Sequence, residues 1–189
     1  MKMLQDGTND PFARVYLLNV HVEEALTQLD ILRVEARRVA VFSMGGAPNY
    51  VATNAVYNFY SRLTTALDTS VKVLLPEQDW VNFYYFEKAP KKAKGWSTKL
   101  EKDVCSALEP KFKVVDEFCI HAADDKFFKP RDFWNVVKHK QYGIVQGDVG
   151  KTTVTFRIGN LYKDIIPSAE SWFAVVKAWI DEVKQHAPR

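Results

Sequence analysis

Three polar residues that could do chemistry together stand at four-residue steps along the chain: Arg131, Asn135 and His139. Side chains four residues apart lie close to one stripe of a helix. Histidine can act as a general base or acid near neutral pH, and asparagine can orient a phosphate or the imidazole. A cation such as Arg131 or Lys138 can stabilise negative charge on a phosphorane. The set suits metal-free RNA cleavage, in which a 2′-hydroxyl attacks the adjacent phosphate.

A structural role explains the same pattern. Asn135 and His139 lie in a segment that is otherwise aromatic and apolar, Phe127 to Tyr142. There they could hydrogen-bond across a helix packing or a dimer seam. The two interpretations differ in whether these side chains face solvent in a basic cleft or lie buried with satisfied partners.

Two long helices are predicted ahead of this segment. The first begins with Asp10 as the cap and Pro11 in the first turn, and it runs to about Met44. Its apolar residues recur at steps of three and four: Val15, Leu18, Val22, Leu26, Leu29 and Leu32. The second runs from about Asn49 to Leu75, with an apolar stripe of Ala55, Phe59, Leu63, Leu67 and Leu74. Because the turn between them is short, the two helices should pack antiparallel.

The remaining elements are shorter. A third helix is predicted from Ser97 to about His121 with a break near Pro110, and a fourth opens at Pro130 and carries the polar stripe. Near 142–160 the pattern changes to a small β-hairpin insertion. Ser168 is predicted to cap a last helix, whose apolar face is Trp172, Val175, Val176, Trp179 and Val183. The predicted fold is therefore all-α or mainly α, an antiparallel helical bundle forming one domain over residues 1–189.

Two long antiparallel helices, a shorter third and then a helix with Asn135-Val136-Val137-Lys138-His139 resemble the HEPN superfamily of all-helical domains. Active members carry an arginine, a polar residue that is often asparagine, three further residues and a histidine. The resemblance covers roughly Asp10 to Tyr142. It implies a homodimer in which the motif helices meet, and RNA binding or metal-independent RNA cleavage in a defence or toxin system, with a protein partner such as an antitoxin.

The chain departs from the family pattern at the arginine. Trp134 occupies that place, and Arg131 lies about 12 Å along the helix axis from His139. Tyr142 stands three residues after the histidine, whereas some family branches have a tyrosine two residues after it. A non-cleaving member, in which the bundle serves as a helical scaffold or protein-interaction domain, is the alternative.

Two segments combine lysines with aromatic residues. Residues 88–102 hold six lysines and one acid, and residues 126–140 hold five cations and one acid. Cations bind phosphates and exposed aromatic rings stack on unpaired bases, so single-stranded RNA is the predicted ligand. The predicted contacts are Lys91, Lys92, Lys94, Trp96, Lys138, Lys140 and Tyr142. A solvated lysine-rich loop and a core-facing aromatic cluster would explain the same composition.

The sequence argues against several other classes. Gly150-Lys151-Thr152 ends like a phosphate-binding loop, but Val145 stands where that loop needs its first glycine. Two cysteines among 189 residues are too few for a disulfide framework or a zinc site. No metal or cofactor is therefore predicted. No apolar run is long enough to cross a membrane, and we expect a cytoplasmic protein with reduced thiols.

Overall fold

A computed structural model describes residues 10–42, 49–75, 83, 102–120, 144–147, 154–158 and 161–187. These residues include four helices: α1 (Pro11–Phe42), α2 (Tyr50–Leu74), α3 (Lys102–Ile120) and α4 (Ile165–Gln185). Three short strands precede α4: β1 (Ile144–Gly147), β2 (Val154–Ile158) and β3 (Leu161–Asp164). The mainly helical class predicted from the sequence is confirmed for the described residues. The helix predicted to open at Pro130 lies outside them.

Both long helices begin at the residues that the sequence indicated. At the start of α1, the Asp10 carboxylate accepts a 2.9 Å hydrogen bond from the Phe12 N–H. At the start of α2, Asn49 Oδ1 accepts a 2.9 Å hydrogen bond from the Ala52 N–H. These side chains satisfy backbone donors that a helix leaves without intrahelical partners. The cap predicted at Asp10 is confirmed, and α2 begins where the sequence predicted, with Asn49 as its cap.

α1 and α2 pack antiparallel along their lengths. Near the start of α1, the buried Arg14 guanidinium donates a 2.8 Å hydrogen bond to the Lys72 carbonyl oxygen, in the last turn of α2. Near the other end, Asn49 Nδ2 donates a 2.9 Å hydrogen bond to Glu35 Oε2. The predicted antiparallel pair is confirmed, and each end of the pair is joined by a polar contact.

The core lies where α4 packs against α1 and α2, with α3 packed on α4. All five predicted apolar residues of α2 are buried, as are Leu18, Val22, Leu29 and Leu32 of α1. Trp172 and Trp179 of α4 are the largest fully buried side chains among the described residues. α4 thereby covers the open side of the α1–α2 pair, and the described helices share one core.

α3 runs through Pro110 without the break that the sequence predicted. Proline removes one backbone hydrogen bond from a helix interior. Pro110 is exposed, so water can hydrate the carbonyl group that loses its partner. Leu108 before it and Phe112 after it are buried in the core. Packing on both sides of the proline therefore keeps the helix continuous. The predicted start near Ser97 lies outside the described residues.

The last helix begins earlier than predicted, so the assignment of Ser168 as its cap is wrong. α4 starts at Ile165, and Asp164 Oδ1 accepts a 3.3 Å hydrogen bond from the Ile166 N–H. Pro167 then lies in the first turn, where a missing N–H costs no intrahelical hydrogen bond. The buried residues of α4 include Trp172, Val176, Trp179 and Val183 of the predicted apolar face.

The three strands form one antiparallel sheet in the order β1-β2-β3. β1 pairs with β2 so that Ile144 lies opposite Arg157, and β2 pairs with β3 so that Thr155 lies opposite Asp164. The sequence predicted a two-stranded hairpin over this region. The third strand extends the sheet to Asp164, the residue that caps α4, so the sheet leads directly into the last helix.

Candidate functional site

The residues predicted for catalysis and RNA binding lie outside the described part of the chain. They are Arg131, Asn135 and His139 for catalysis, and Lys91, Lys92, Lys94, Trp96, Lys138, Lys140 and Tyr142 for RNA contact. Residues 91–96 lie between the described Phe83 and the start of α3 at Lys102, and residues 131–142 lie between the end of α3 at Ile120 and the start of β1 at Ile144. The structure neither brings these residues together nor separates them.

Among the described residues, a histidine, a carboxylate and a guanidinium meet where α1 packs against α2. His21 Nδ1 lies 3.8 Å from Glu24 Oε2, which is longer than a hydrogen bond. Arg62 Nε lies 2.8 Å from the same carboxylate oxygen. The His21 side chain is 15% exposed, whereas Glu24 and Arg62 are 42% and 44% exposed. We call this group the His21 cluster: a mostly covered imidazole beneath a solvent-facing ion pair.

Burial lowers the pKa of His21, and the nearby Arg62 guanidinium lowers it further, while Glu24 acts in the opposite direction. The imidazole is therefore neutral near neutral pH and could accept a proton. Arg62 is already paired with Glu24, so the cluster presents no excess positive charge to a phosphate. This arrangement fits a polar link between two helices better than it fits a phosphate-binding centre.

A partly buried carboxylate lies near the C-terminal end of α2. Asp68 Oδ1 accepts a 2.9 Å hydrogen bond from the backbone N–H of Phe83. Burial raises the pKa of Asp68, against the effects of that hydrogen bond and of Lys72. Phe83 is itself buried, and its ring lies 5.6 Å from Phe112 and 5.8 Å from Trp179. Asp68 thus fixes the backbone at Phe83 while the ring fills the core between α3 and α4.

The Trp179 indole is held by a polar contact as well as by packing. Its Nε1 donates a 2.7 Å hydrogen bond to Ser70 Oγ, and Ser70 Oγ donates a 2.6 Å hydrogen bond to the Leu67 carbonyl oxygen. Ser70 and Trp179 are fully buried. Because a buried N–H without a partner is costly, this contact fixes how α4 is rotated against α2.

A buried carboxylate, Glu35 of α1, lies beside the start of α2. Glu35 Oε2 accepts from Asn49 Nδ2 at 2.9 Å, and Arg38 NH1 lies 3.5 Å from Glu35 Oε1. Asn49 uses its other side-chain atom to cap α2. One amide therefore joins the end of α1 to the start of α2, which is a structural role.

The residues whose side chains the structure describes include one cysteine and no group that could bind a metal ion. No three histidine, cysteine or carboxylate side chains gather there as a metal site would require. Cys105 is a reduced, partly exposed thiol, and burial raises its pKa, so the reactive thiolate is disfavoured. No helix among the described residues has the length and apolar character needed to cross a membrane.

The segment that resembles a phosphate-binding loop lies between two strands. β1 ends at Gly147 and β2 begins at Val154. A phosphate-binding loop needs a helix directly after its lysine, because the helix N-terminus meets the phosphate. Lys151 is followed three residues later by a strand, so the expectation that this is not a nucleotide site agrees with the structure.

His21, Asp68 and Ser70 were not among the candidate site residues predicted from the sequence. His21 and Glu24 stand three residues apart on a predicted helix, which was a readable signal for a polar pair. The partners Arg62, Phe83 and Trp179 are distant along the chain, and periodicity within one helix does not fix them. The polar contacts that join the elements had to come from the structure.

None of the protein-family models, curated proteins or solved structures compared with this chain matches it.

Proposed function

We propose that this protein is a HEPN-like helical domain that binds RNA. The observation that carries the proposal is the four-residue spacing of Asn135 and His139 in an aromatic and basic segment. Support comes from the antiparallel α1–α2 pair that precedes this segment, since that pair is the framework the family resemblance calls for. A homodimer belongs to the same proposal.

In the cleaving form of this proposal, His139 is the general base or acid for attack of a 2′-hydroxyl on the adjacent phosphate. Asn135 orients the phosphate or the imidazole, and Arg131 or Lys138 neutralises the developing charge. Trp134 stands where active relatives have arginine. RNA binding is therefore the primary proposal, and cleavage is its more specific form.

Cleavage is tested with purified full-length protein and a mixed-sequence RNA in the presence of EDTA. Three proteins are compared: the unsubstituted chain, His139→Ala and the control His186→Ala. His186 follows α4 and lies 3.3 Å from Glu182, away from the proposed site residues in sequence. Cleavage that leaves 2′,3′-cyclic phosphate ends, lost only in His139→Ala, supports the ribonuclease. Equal cleavage by all three proteins contradicts it.

Binding is tested by fluorescence anisotropy with a labelled single-stranded RNA over a range of salt concentrations. Replacing Lys91, Lys92 and Lys94 together with alanine should weaken binding and flatten its salt dependence, because fewer counterions are released. The control removes the same charge from exposed lysines of α3 and α4: Lys111, Lys113 and Lys177. Equal loss in both triple variants would indicate only a general charge effect and would contradict a dedicated RNA-binding segment.

The second candidate is a non-catalytic scaffold that keeps the bundle for protein interaction. Large apolar side chains that face solvent on α1 favour it, with Phe12 75% and Tyr16 67% exposed. If the folded protein neither binds nor cleaves RNA, this candidate replaces the first. A His139→Ala variant that loses folding stability would add support, because it would indicate a buried structural histidine.

A further inference from the structure

Glu24 stands between two partners, one on its own helix and one on the neighbouring helix. Its Oε2 atom lies 2.8 Å from Arg62 Nε of α2 and 3.8 Å from His21 Nδ1 of α1. Glu24 Oε2 and His21 Nδ1 are both shielded from solvent, and neither has a hydrogen-bond partner within the described part of the chain. The contact with Arg62 is therefore an ion pair that is not aligned as a hydrogen bond. The carboxylate oxygen can still accept one.

The protonation state of His21 decides whether it can use this oxygen. A neutral imidazole carries a proton on one nitrogen only, and its other nitrogen is an acceptor, as is the carboxylate. A second proton makes both ring nitrogens donors, so that Nδ1–H can donate to Glu24 in a charge-assisted hydrogen bond. A shift of about 1 Å in the Glu24 side chain is enough to bring the 3.8 Å separation into hydrogen-bond range.

We propose that a proton on His21 redirects the Glu24 carboxylate from Arg62 to the imidazolium. A contact between α1 and α2 is then replaced by a contact within α1, between residues three positions apart. The charge of the His21 cluster changes with it. Glu24 and Arg62 cancel while the imidazole is neutral, and one positive charge remains once it is protonated. The Arg62 side chain, which is 44% exposed, then presents its guanidinium to water.

The charged groups around His21 set the pH range of this exchange. Among the described residues, Arg62 of α2 and Glu24 of α1 are the charges that act on the imidazole. β1 also contacts both helices and has no titratable side chain, and the ion pair of α4 with α1 joins Glu170 to Arg33. Burial, and next Arg62, lower the pKa of His21, so the exchange is expected below pH 6.5. This inference does not rest on the proposed RNA-binding function.

NMR spectroscopy of the arginine side chains in the full-length protein tests the exchange. As the pH is lowered from 8, the Arg62 Nε–H resonance should shift with the same midpoint as the His21 imidazole, because Arg62 loses its carboxylate partner. Arg33 is the internal control. Its Nε donates a 3.0 Å hydrogen bond to Glu170 on another helix, so its resonance should stay unchanged through the His21 midpoint.

Two variants separate exchange of the carboxylate from a direct effect of the histidine charge on Arg62. His21→Gln removes the proton site, so the Arg62 resonance should no longer shift. Glu24→Gln keeps the histidine and the arginine but removes the charge that moves between them, and it is titrated through the midpoint of its own His21. Exchange predicts that the Arg62 shift is lost in this variant. An Arg62 resonance that stays fixed while His21 titrates, or that shifts equally in Glu24→Gln, would overturn the proposal.

Discussion

Trp179 Nε1 donates a 2.7 Å hydrogen bond to Ser70 Oγ, across the packing of α4 on α2. The two residues are 109 positions apart, and both are fully buried. Ser70 also donates to the Leu67 carbonyl oxygen, so its hydroxyl both accepts and donates. Apolar packing alone would tolerate small rotations of α4. The directional hydrogen bond selects one orientation of the indole.

Replacing Ser70 with alanine should therefore destabilise the protein by about 1–3 kcal/mol, because the buried Trp179 N–H loses its acceptor. The free energy of unfolding is measured by urea denaturation. Ser171→Ala is the matched control, since Ser171 is an exposed serine of α4. Its change in unfolding free energy should stay within about 0.5 kcal/mol.

A double-mutant cycle separates the contribution of this hydrogen bond to stability from the other contributions of the Ser70 side chain. Trp179→Phe removes the indole N–H, so adding Ser70→Ala to that variant should cost less than it costs in the unsubstituted chain. Additive costs would mean that the hydrogen bond contributes nothing beyond packing.

Asp68 should limit stability at neutral pH. Burial raises its pKa above the ordinary value of 3.8, so the folded state holds this proton more tightly than the unfolded state does. The stabilising effect is complete below pH 3.8 and is lost as pH rises through the raised pKa. Asp68→Asn keeps an oxygen that can accept from the Phe83 N–H and removes the buried charge. It should equal or exceed the unsubstituted chain in unfolding free energy at pH 7.

Asp68→Ala is the matched comparison, because it removes both the charge and the acceptor. Leaving the partly buried Phe83 N–H without its partner should cost about 1–3 kcal/mol relative to Asp68→Asn. Urea denaturation from pH 4 to pH 7 measures both variants. If the asparagine variant is less stable than the unsubstituted chain at pH 7, the carboxylate is favourably paired and its burial is not the dominant effect.

The helices could be predicted where the cap residues and the apolar spacing in the sequence agree. Asp10 caps α1 as expected, α2 begins where it was predicted to begin, and all five apolar residues predicted for the stripe of α2 are buried. A stripe of apolar residues identifies the buried face of a helix, because the positions that face the core recur with the helical period.

Prediction failed where a tertiary contact outweighed a local signal. Pro110 predicted a break, but burial of Leu108 and Phe112 holds α3 together on both sides. Ser168 is a good cap residue by type, yet the helix starts at the end of β3, where Asp164 takes that role. The preferences of residues within one helical turn predict neither the continuity of α3 nor the first residue of α4.

The polar contacts were less predictable than the helices. Arg62 reaches Glu24, and Trp179 reaches Ser70, only because of the rotation and offset of packed helices. A one-residue shift of one helix would turn these side chains by about 100°. For Asn135 and His139, sequence spacing therefore predicts a shared stripe and leaves the surface that this stripe faces to experiment.

His21 should make stability depend on pH in the opposite sense to Asp68. Burial, and next Arg62, lower its pKa below the ordinary value of 6.5, so the unfolded state binds this proton more readily. The stabilising effect is complete above pH 6.5 and is lost as pH decreases toward the lowered pKa. His21→Gln should remove this part of the pH dependence, as measured by urea denaturation between pH 5 and pH 8.

The effect of the neighbouring charges on the pKa of His21 can be measured directly by NMR titration of the imidazole. Arg62→Gln should raise the pKa of His21, because a nearby positive charge is removed, and Glu24→Gln should lower it. Lys177→Gln removes a positive charge from an exposed site on α4 and should leave the His21 titration unchanged. A shift of the same sign in the two cluster variants would contradict the electrostatic explanation.

The contact between Asn49 and Glu35 makes an unusual prediction for a helix cap. Aspartate usually caps a helix as well as asparagine does. Here Asn49 Nδ2 donates to the buried Glu35 carboxylate at 2.9 Å, so Asn49→Asp would set two carboxylates against each other. We expect Asn49→Asp to be less stable than Asn49→Ser at pH 7, although both side chains can cap α2.

Glu35→Gln tests whether repulsion between the two carboxylates causes the lower stability of Asn49→Asp. A glutamine can donate to the carboxylate introduced by Asn49→Asp, so the double variant should recover much of the lost unfolding free energy. The combination of Glu35→Gln with Asn49→Ser is the matched control and should show no such recovery. Equal stability of Asn49→Asp and Asn49→Ser in the unsubstituted background would show that Arg38, 3.5 Å from Glu35, already neutralises this turn.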